Sequence, residues 1–170
     1  MTNFNDITIP DWAKTEKNEG IIYEGFPLSY RFDGGDGNFY LGSESLGQDL
    51  GIHAFDYAWE YAQRWGFPPQ SWLDIAFVNA NGVASVCSFK KDSAVNLLVF
   101  LTELKSRGLA LDAIWLGLRA KPMKSQVDGA ESTYFVVEVE FWRLVAQDHW
   151  ASVRAFKDSE IFKFELIGEV

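Results

Sequence analysis

The chain is poor in the residues that carry most covalent and metal chemistry. Its 170 residues include one cysteine, Cys87, and two histidines, His53 and His149. A single cysteine excludes an intramolecular disulfide and a cysteine-rich zinc site. Cys87 sits in the apolar run 83–89, where an inert buried thiol is expected, because activation needs a neighbouring base or cation. The histidines are far apart, and no HExxH, GxSxG or Walker GxxxxGK[ST] pattern occurs, so no metal or cofactor is expected. Basic residues are also scarce. The 15 Lys and Arg face 24 Asp and Glu, and the resulting net charge of -9 is an unpromising balance for a wholesale duplex-DNA binder. No apolar run approaches a membrane span: the longest, around residues 94–101, lies inside an amphipathic pattern. The opening residues lack the basic and apolar stretches of a signal peptide. A soluble, cytoplasmic protein without membrane contact is expected.

What is present argues for one ordered domain. Hydrophobic residues make up 48% and charged residues 23%, which excludes disorder as the main state. A chain of this length buries about two-thirds of its surface on folding, so no staple is required. Aromatics reach 16%, with seven Trp, and that excess is the compositional anomaly.

Residues 1–19 are polar and read as an N-terminal arm, 20–143 as a β-rich core, and 144–170 as a segment packing on the core or on a partner. Alternation through Phe26, Leu28, Tyr30 and Phe32 predicts a strand over 21–32. The Gly-rich acidic stretch 33–37 is expected to turn the chain into a second strand at 38–41. Residues 50–65 carry two periods at once. Phe55, Tyr57, Trp59 and Tyr61 alternate as in a strand, whereas Asp56, Glu60 and Arg64 recur every four residues as in a helix. The strand reading is taken. Gly66 and the Pro68–Pro69 pair then break the chain.

Strands over 72–78 and 83–89 flank a turn at 79–82. One amphipathic helix follows at about 93–107, with Asp92 or Ser93 as its cap, Leu97, Leu101 and Leu104 on its buried stripe, and Gly108 ending it. Strands at 112–122 and 133–143 come next, joined by a polar stretch, 123–132, read as an exposed loop. A last short strand is expected at 161–167.

Antiparallel strands, one helix and then more strands make a mainly β (α+β) fold. This order over residues 20–143 resembles the OB-fold single-stranded-DNA-binding proteins, at the level of topology and without a shared motif. The resemblance implies a partly closed barrel, with its helix between the third and fourth strands, that binds single-stranded nucleic acid by stacking bases on aromatics beside basic side chains. The charge distribution bears on this independently. Residues 1–89 hold 4 basic and 12 acidic side chains, whereas 90–143 hold 8 and 7. On the 112–122 strand, Trp115, Arg119 and Lys121 share the face opposite Ile114, Leu116 and Leu118, and Lys124 lies at its exit. A flat π surface beside cations suits a single strand. Lys90 and Lys91 are candidate backbone contacts, and Tyr57, Trp59 and Trp142 candidate stacking surfaces. The competing reading is a solvated sheet face, with Glu138 and Glu140 neutralising Arg119 and Lys121 across strands.

Two further classes stand beside this non-catalytic, DNA-binding reading. A carboxylate-and-metal nuclease would draw on Asp74, Glu138 and Glu140, but the lysine of an E-x-K arrangement is missing. The principal alternative is a protein-interaction or homo-oligomerisation module, of viral or mobile-element type, with no nucleic-acid role. Its candidate partner-binding residues are Phe162, Phe164 and Leu166 in the C-terminal segment.

Overall fold

The computed structural model describes Pro10, Trp12, residues 20–159, Ile161 and Phe162. Among the described residues eight strands and two α-helices follow one another, with a short 3-10 turn at Leu111–Ala113: β1 Leu28–Asp33, β2 Asn38–Leu41, β3 Glu44–Gly47, β4 Asp49–Ala62, β5 Gln70–Val78, β6 Ala84–Lys90, α1 Lys91–Ser106, β7 Ile114–Val127, β8 Ala130–Leu144 and α2 Gln147–Asp158. The strands form one sheet in the order β3-β2-β1-β6-β5-β4-β7-β8. Every neighbouring pair for which register is defined is antiparallel except β1 with β6. The fold is therefore mainly β, an α+β half-barrel, with α1 following the sixth strand.

The sheet curls around α1. Leu73, Ile75 and Phe77 of β5, Cys87 and Phe89 of β6, and Leu116 and Leu118 of β7 meet Ala94, Leu97, Leu101 and Leu104 of the helix in the main core. Each such leucine removed from water contributes roughly 1.5–3 kcal/mol. Burial also pushes the Cys87 thiol pKa up, leaving it without a reactive thiolate. The curl brings the far ends of the sheet together. Phe135 N–H of β8 donates to Gly34 O in the β1–β2 turn at 2.8 Å, and Val137 N–H donates to Ser93 Oγ of α1 at 2.9 Å.

On the opposite face, Phe55, Ala76 and Val78 are covered by Val153 and Phe156 of α2 and by Phe162. Arg154 secures α2 by a two-toothed hydrogen bond to Asp112 at 2.9 and 2.5 Å. His149 of α2 stacks on buried His53 of β4, centroids 5.7 Å apart.

Several expectations need correction. The stretch 123–132 is not a loop: β7 and β8 continue through it as a two-stranded ribbon to Asp128 and Gly129, both at positive φ, 53° and 77°. That pair makes the turn whose twist matches a hairpin. The first strand starts at Leu28, because Pro27 has no N–H to give; among the described residues upstream, only Ile22 bridges, to Val83. Helix α1 starts at Lys91 with no side-chain cap, since Ser93, buried beneath β8, spends its hydroxyl on Val137. Its C-terminus is as expected, with Gly108 at φ 73° and Leu109 N–H returning to Leu104 O at 3.1 Å. Helix α2 and strand β3 had no counterpart in the expectation. Ile161 and Phe162 lie outside any strand, and the rest of the expected 161–167 strand, like most of the 1–19 arm, falls outside the described residues.

Candidate functional site

The stretch 50–65 resolves as strand β4 and then reverses. Trp65 and Gly66 take left-handed φ values of 49° and 76°, and Phe67 N–H closes the turn on Arg64 O at 2.9 Å. A tryptophan at positive φ is uncommon and costly, and such positions cluster at binding sites. Here the turn sets the Trp65 indole edge-on to Trp72, at 5.1 Å and 83°, with Phe67 at 6.0 Å on the same tryptophan. Trp72 is fixed in turn by its Nε1–H donating to Ala62 O at 3.1 Å.

Under these rings lies Arg64, fully buried. It donates to both carboxylate oxygens of Asp74 at 2.8 and 3.0 Å and to Glu60 at 2.6 Å; Asp74 also accepts from Ser88 Oγ at 2.6 Å. Burial opposes the Arg64 charge, but the hydrogen bonds to Asp74 and Glu60 outweigh it and raise the pKa. The guanidinium stands 5.2 Å from the Trp72 ring centroid, the range of a cation–π contact. Arg64 is thus the base on which the aromatic wall rests.

That wall opens on a cleft of about 1000 Å³, bounded also by the β1–β2 turn, the β6–α1 junction and the β8 ribbon. Cavities of this size suit a small organic ligand or part of a polymer. Three cations line it, Arg31, Lys90 and Lys91, against two acids, Asp33 and Asp92. Lys90 Nζ stands 3.5 Å from the Phe67 ring centroid. Partial burial and the neighbouring Lys91 lower its pKa, while Asp33 pulls the other way. Arg31 lies over the Tyr40 ring at 4.1 Å. Asp33 Oδ1 is held in its turn by Gly35 N–H at 2.7 Å. On the far wall, Ser125 and Ser132 pair across the ribbon, and Tyr134 and Val136 lie further along it. Of the residues singled out in the sequence, Lys90 and Lys91 belong to this cleft.

The others lie elsewhere, chiefly on the outer face of β4, β7 and β8. Gly51 and Gly117 sit side by side in register, and a Cβ on either would collide with a ring: Trp115 at 2.5 Å over Gly51, Phe141 at 2.3 Å over Gly117. Trp115 therefore rests one side on backbone, and Arg143 covers it at 5.7 Å. Arg119 is shared between Asp49 at 2.7 Å and Glu140 at 2.8 Å. Lys121 faces Glu138 at 3.5 Å, and Lys124 faces Glu131 at 3.0 Å. On the inner face, Tyr57 packs against the main core, Trp59 is half exposed on β4, and Trp142 is half exposed near the end of β8.

The carboxylates considered for a nuclease are spread out: Asp74 serves Arg64, while Glu138 and Glu140 serve the β7 cations. Among the described residues no group of three or more His, Cys, Asp or Glu side chains is placed to hold a metal ion. Phe162 meets Tyr23 at 5.5 Å and Phe55 at 5.3 Å on its own chain. Phe164 and Leu166 lie outside the described residues. Among the described residues no helix is long and apolar enough to cross a membrane.

Reasoning from sequence missed Arg31, Trp65, Phe67 and Trp72 as a group. The one available signal was Arg64, whose four-residue spacing from Glu60 marked a real contact but suggested the wrong local structure. Comparison with protein families, with curated proteins and with solved structures finds no match in any of the three.

Proposed function

We propose that the protein binds single-stranded nucleic acid without catalysing a reaction on it, and that the cleft is the seat of binding. The observation that carries this reading is the convergence of Trp65, Phe67 and Trp72 with Arg31, Lys90 and Lys91 around one cavity. Bases stack on aromatic faces whatever their sequence, each worth about 1–3 kcal/mol, while cations beside them neutralise phosphates. A net surplus of one positive charge within the cleft, three cations against two acids, gives that local balance in a chain whose net charge is -9. The remaining acidic surface opposes indiscriminate contact with duplex.

Titration of the intact protein with a labelled oligonucleotide, following tryptophan emission, tests the proposal. Saturable quenching at low salt that weakens as salt rises is the expected result, and Trp65→Ala should remove most of the optical change. Absence of quenching at low salt, or binding indifferent to salt, refutes a phosphate-contacting cleft.

A further inference from the structure

We infer that the outer half of β8, residues 139–144, is a self-association edge that pairs antiparallel with β8 of a second copy of the chain. Strand β8 closes one end of the sheet order, so among the described residues one side of it has no neighbouring strand. Its amides at Phe135 and Val137 point away from β7 and are taken by Gly34 and Ser93. Alternation makes Val139 the next outward amide. A bulge then places Gly117 opposite Phe141 and Leu118 opposite Val139, which resets the phase so that Trp142 and Leu144 point outward. Val145 N–H turning inward to Ala113 O at 3.0 Å fits that phase. Along this open half, Phe141, Trp142 and Leu144 are 53%, 47% and 64% exposed. An open edge with large apolar side chains is a template for another strand.

The choice of a second copy follows from self-complementarity. With Glu138 opposite Arg119, Val139 opposite Leu118, Phe141 opposite Gly117, Trp142 opposite Leu116 and Arg143 opposite Trp115, ladder positions are defined on both sides of the bulge. A two-fold axis at the bulge, between Glu140 and Phe141, sets Trp142 beside the partner's Val139, both with outward amides, as hydrogen-bonded antiparallel pairing requires. The same axis brings Phe141 near its copy across the bulge and sets Arg143 beside the partner's Glu138 on the outer face. Among the described residues Arg143 has no carboxylate within salt-bridge distance; its recorded contact is the Trp115 ring. Its charge is therefore available for an acid brought by the second copy, and the operation is closed, giving a dimer and not a fibre.

Sedimentation of the full chain over a concentration series tests this inference, with circular dichroism confirming that each variant is folded. The wild type should show a reversible monomer–dimer equilibrium. Arg143→Glu and Glu138→Lys should each weaken it about tenfold or more, and the double reversal should restore it. A monomer at every concentration overturns the inference. So does a dimer indifferent to both single reversals, or one that the double reversal fails to rescue.

Discussion

Two regions of this protein combine tryptophan with basic side chains, and their fates differ. On β7 and β8, every cation highlighted in the sequence meets a carboxylate across a strand, and on the outer face the Trp115 and Phe141 rings lie on glycine backbone. In the cleft, the wall residues come largely from a turn, a strand end and a helix start; Arg31 has Asp33 at 3.9 Å, but among the described residues no carboxylate lies within salt-bridge distance of Lys90 or Lys91. Extended antiparallel pairing tends to satisfy charges locally, because opposite residues lie within about 5.5 Å. Where strands end and splay apart, that neutralisation lapses and room for a ligand appears.

The largest test of this contrast is Arg64. Arg64→Leu leaves Asp74 buried without its counter-charge, and a loss of about 3–5 kcal/mol in urea unfolding is expected, with a reduced near-ultraviolet signal from Trp65 and Trp72. If stability barely changes, the aromatic wall does not rest on this ion pair. Next, Gly117→Ala puts a Cβ where the Phe141 ring lies; a cost of about 1–3 kcal/mol is expected, and a neutral result would show the ring free to lift away.

The two faces can be set directly against each other in oligonucleotide titrations. Lys90→Glu combined with Lys91→Glu should weaken binding about tenfold or more, and the salt slope should fall by roughly 0.7 per lost phosphate contact. Arg119→Gln with Lys121→Gln should leave both affinity and slope nearly unchanged. The reverse pattern would move the interface to the strand face and defeat the comparison.

A smaller effect is expected from pH. Burial lowers the pKa of His53, with nearby His149 adding to the shift and the Asp112 carbonyl opposing it. The unfolded chain takes up this proton near pH 6.5 and the folded chain only at lower pH, so stability should be full above that value and decline as pH falls through the window below it. His53→Gln should flatten the melting temperature between pH 7 and 5. An unchanged slope would mean that the α2 docking face is not acid-sensitive through His53.

Much of the fold was legible before any coordinates. Alternation at Tyr30 and Phe32, at Leu73, Ile75 and Phe77, and at Leu116 and Leu118 marked strands because one side of each is buried in the core. The ribbon beyond Pro122 escaped notice for the converse reason: with neither face buried, its polar residues show no period of two. The four-residue period at Glu60 and Arg64 misled because a tight reversal brings the same pair together that a helical turn would. The site was far less legible. Nothing near Trp115 in the chain announces that Gly51 lies beneath it, and Arg119 is separated from its partner Asp49 by 70 positions.

By itself, then, the sequence determined what depends on neighbours in the chain: the strand alternation, the α1 stripe, the Gly108 stop and the Asp33–Gly37 turn. Each is set by steric and hydrogen-bonding preferences acting over a few residues. Only the tertiary structure decided which aromatics and cations remain open. That outcome depends on sheet order and register, which bring together side chains from distant segments and cancel a charge in one place while leaving it available in another.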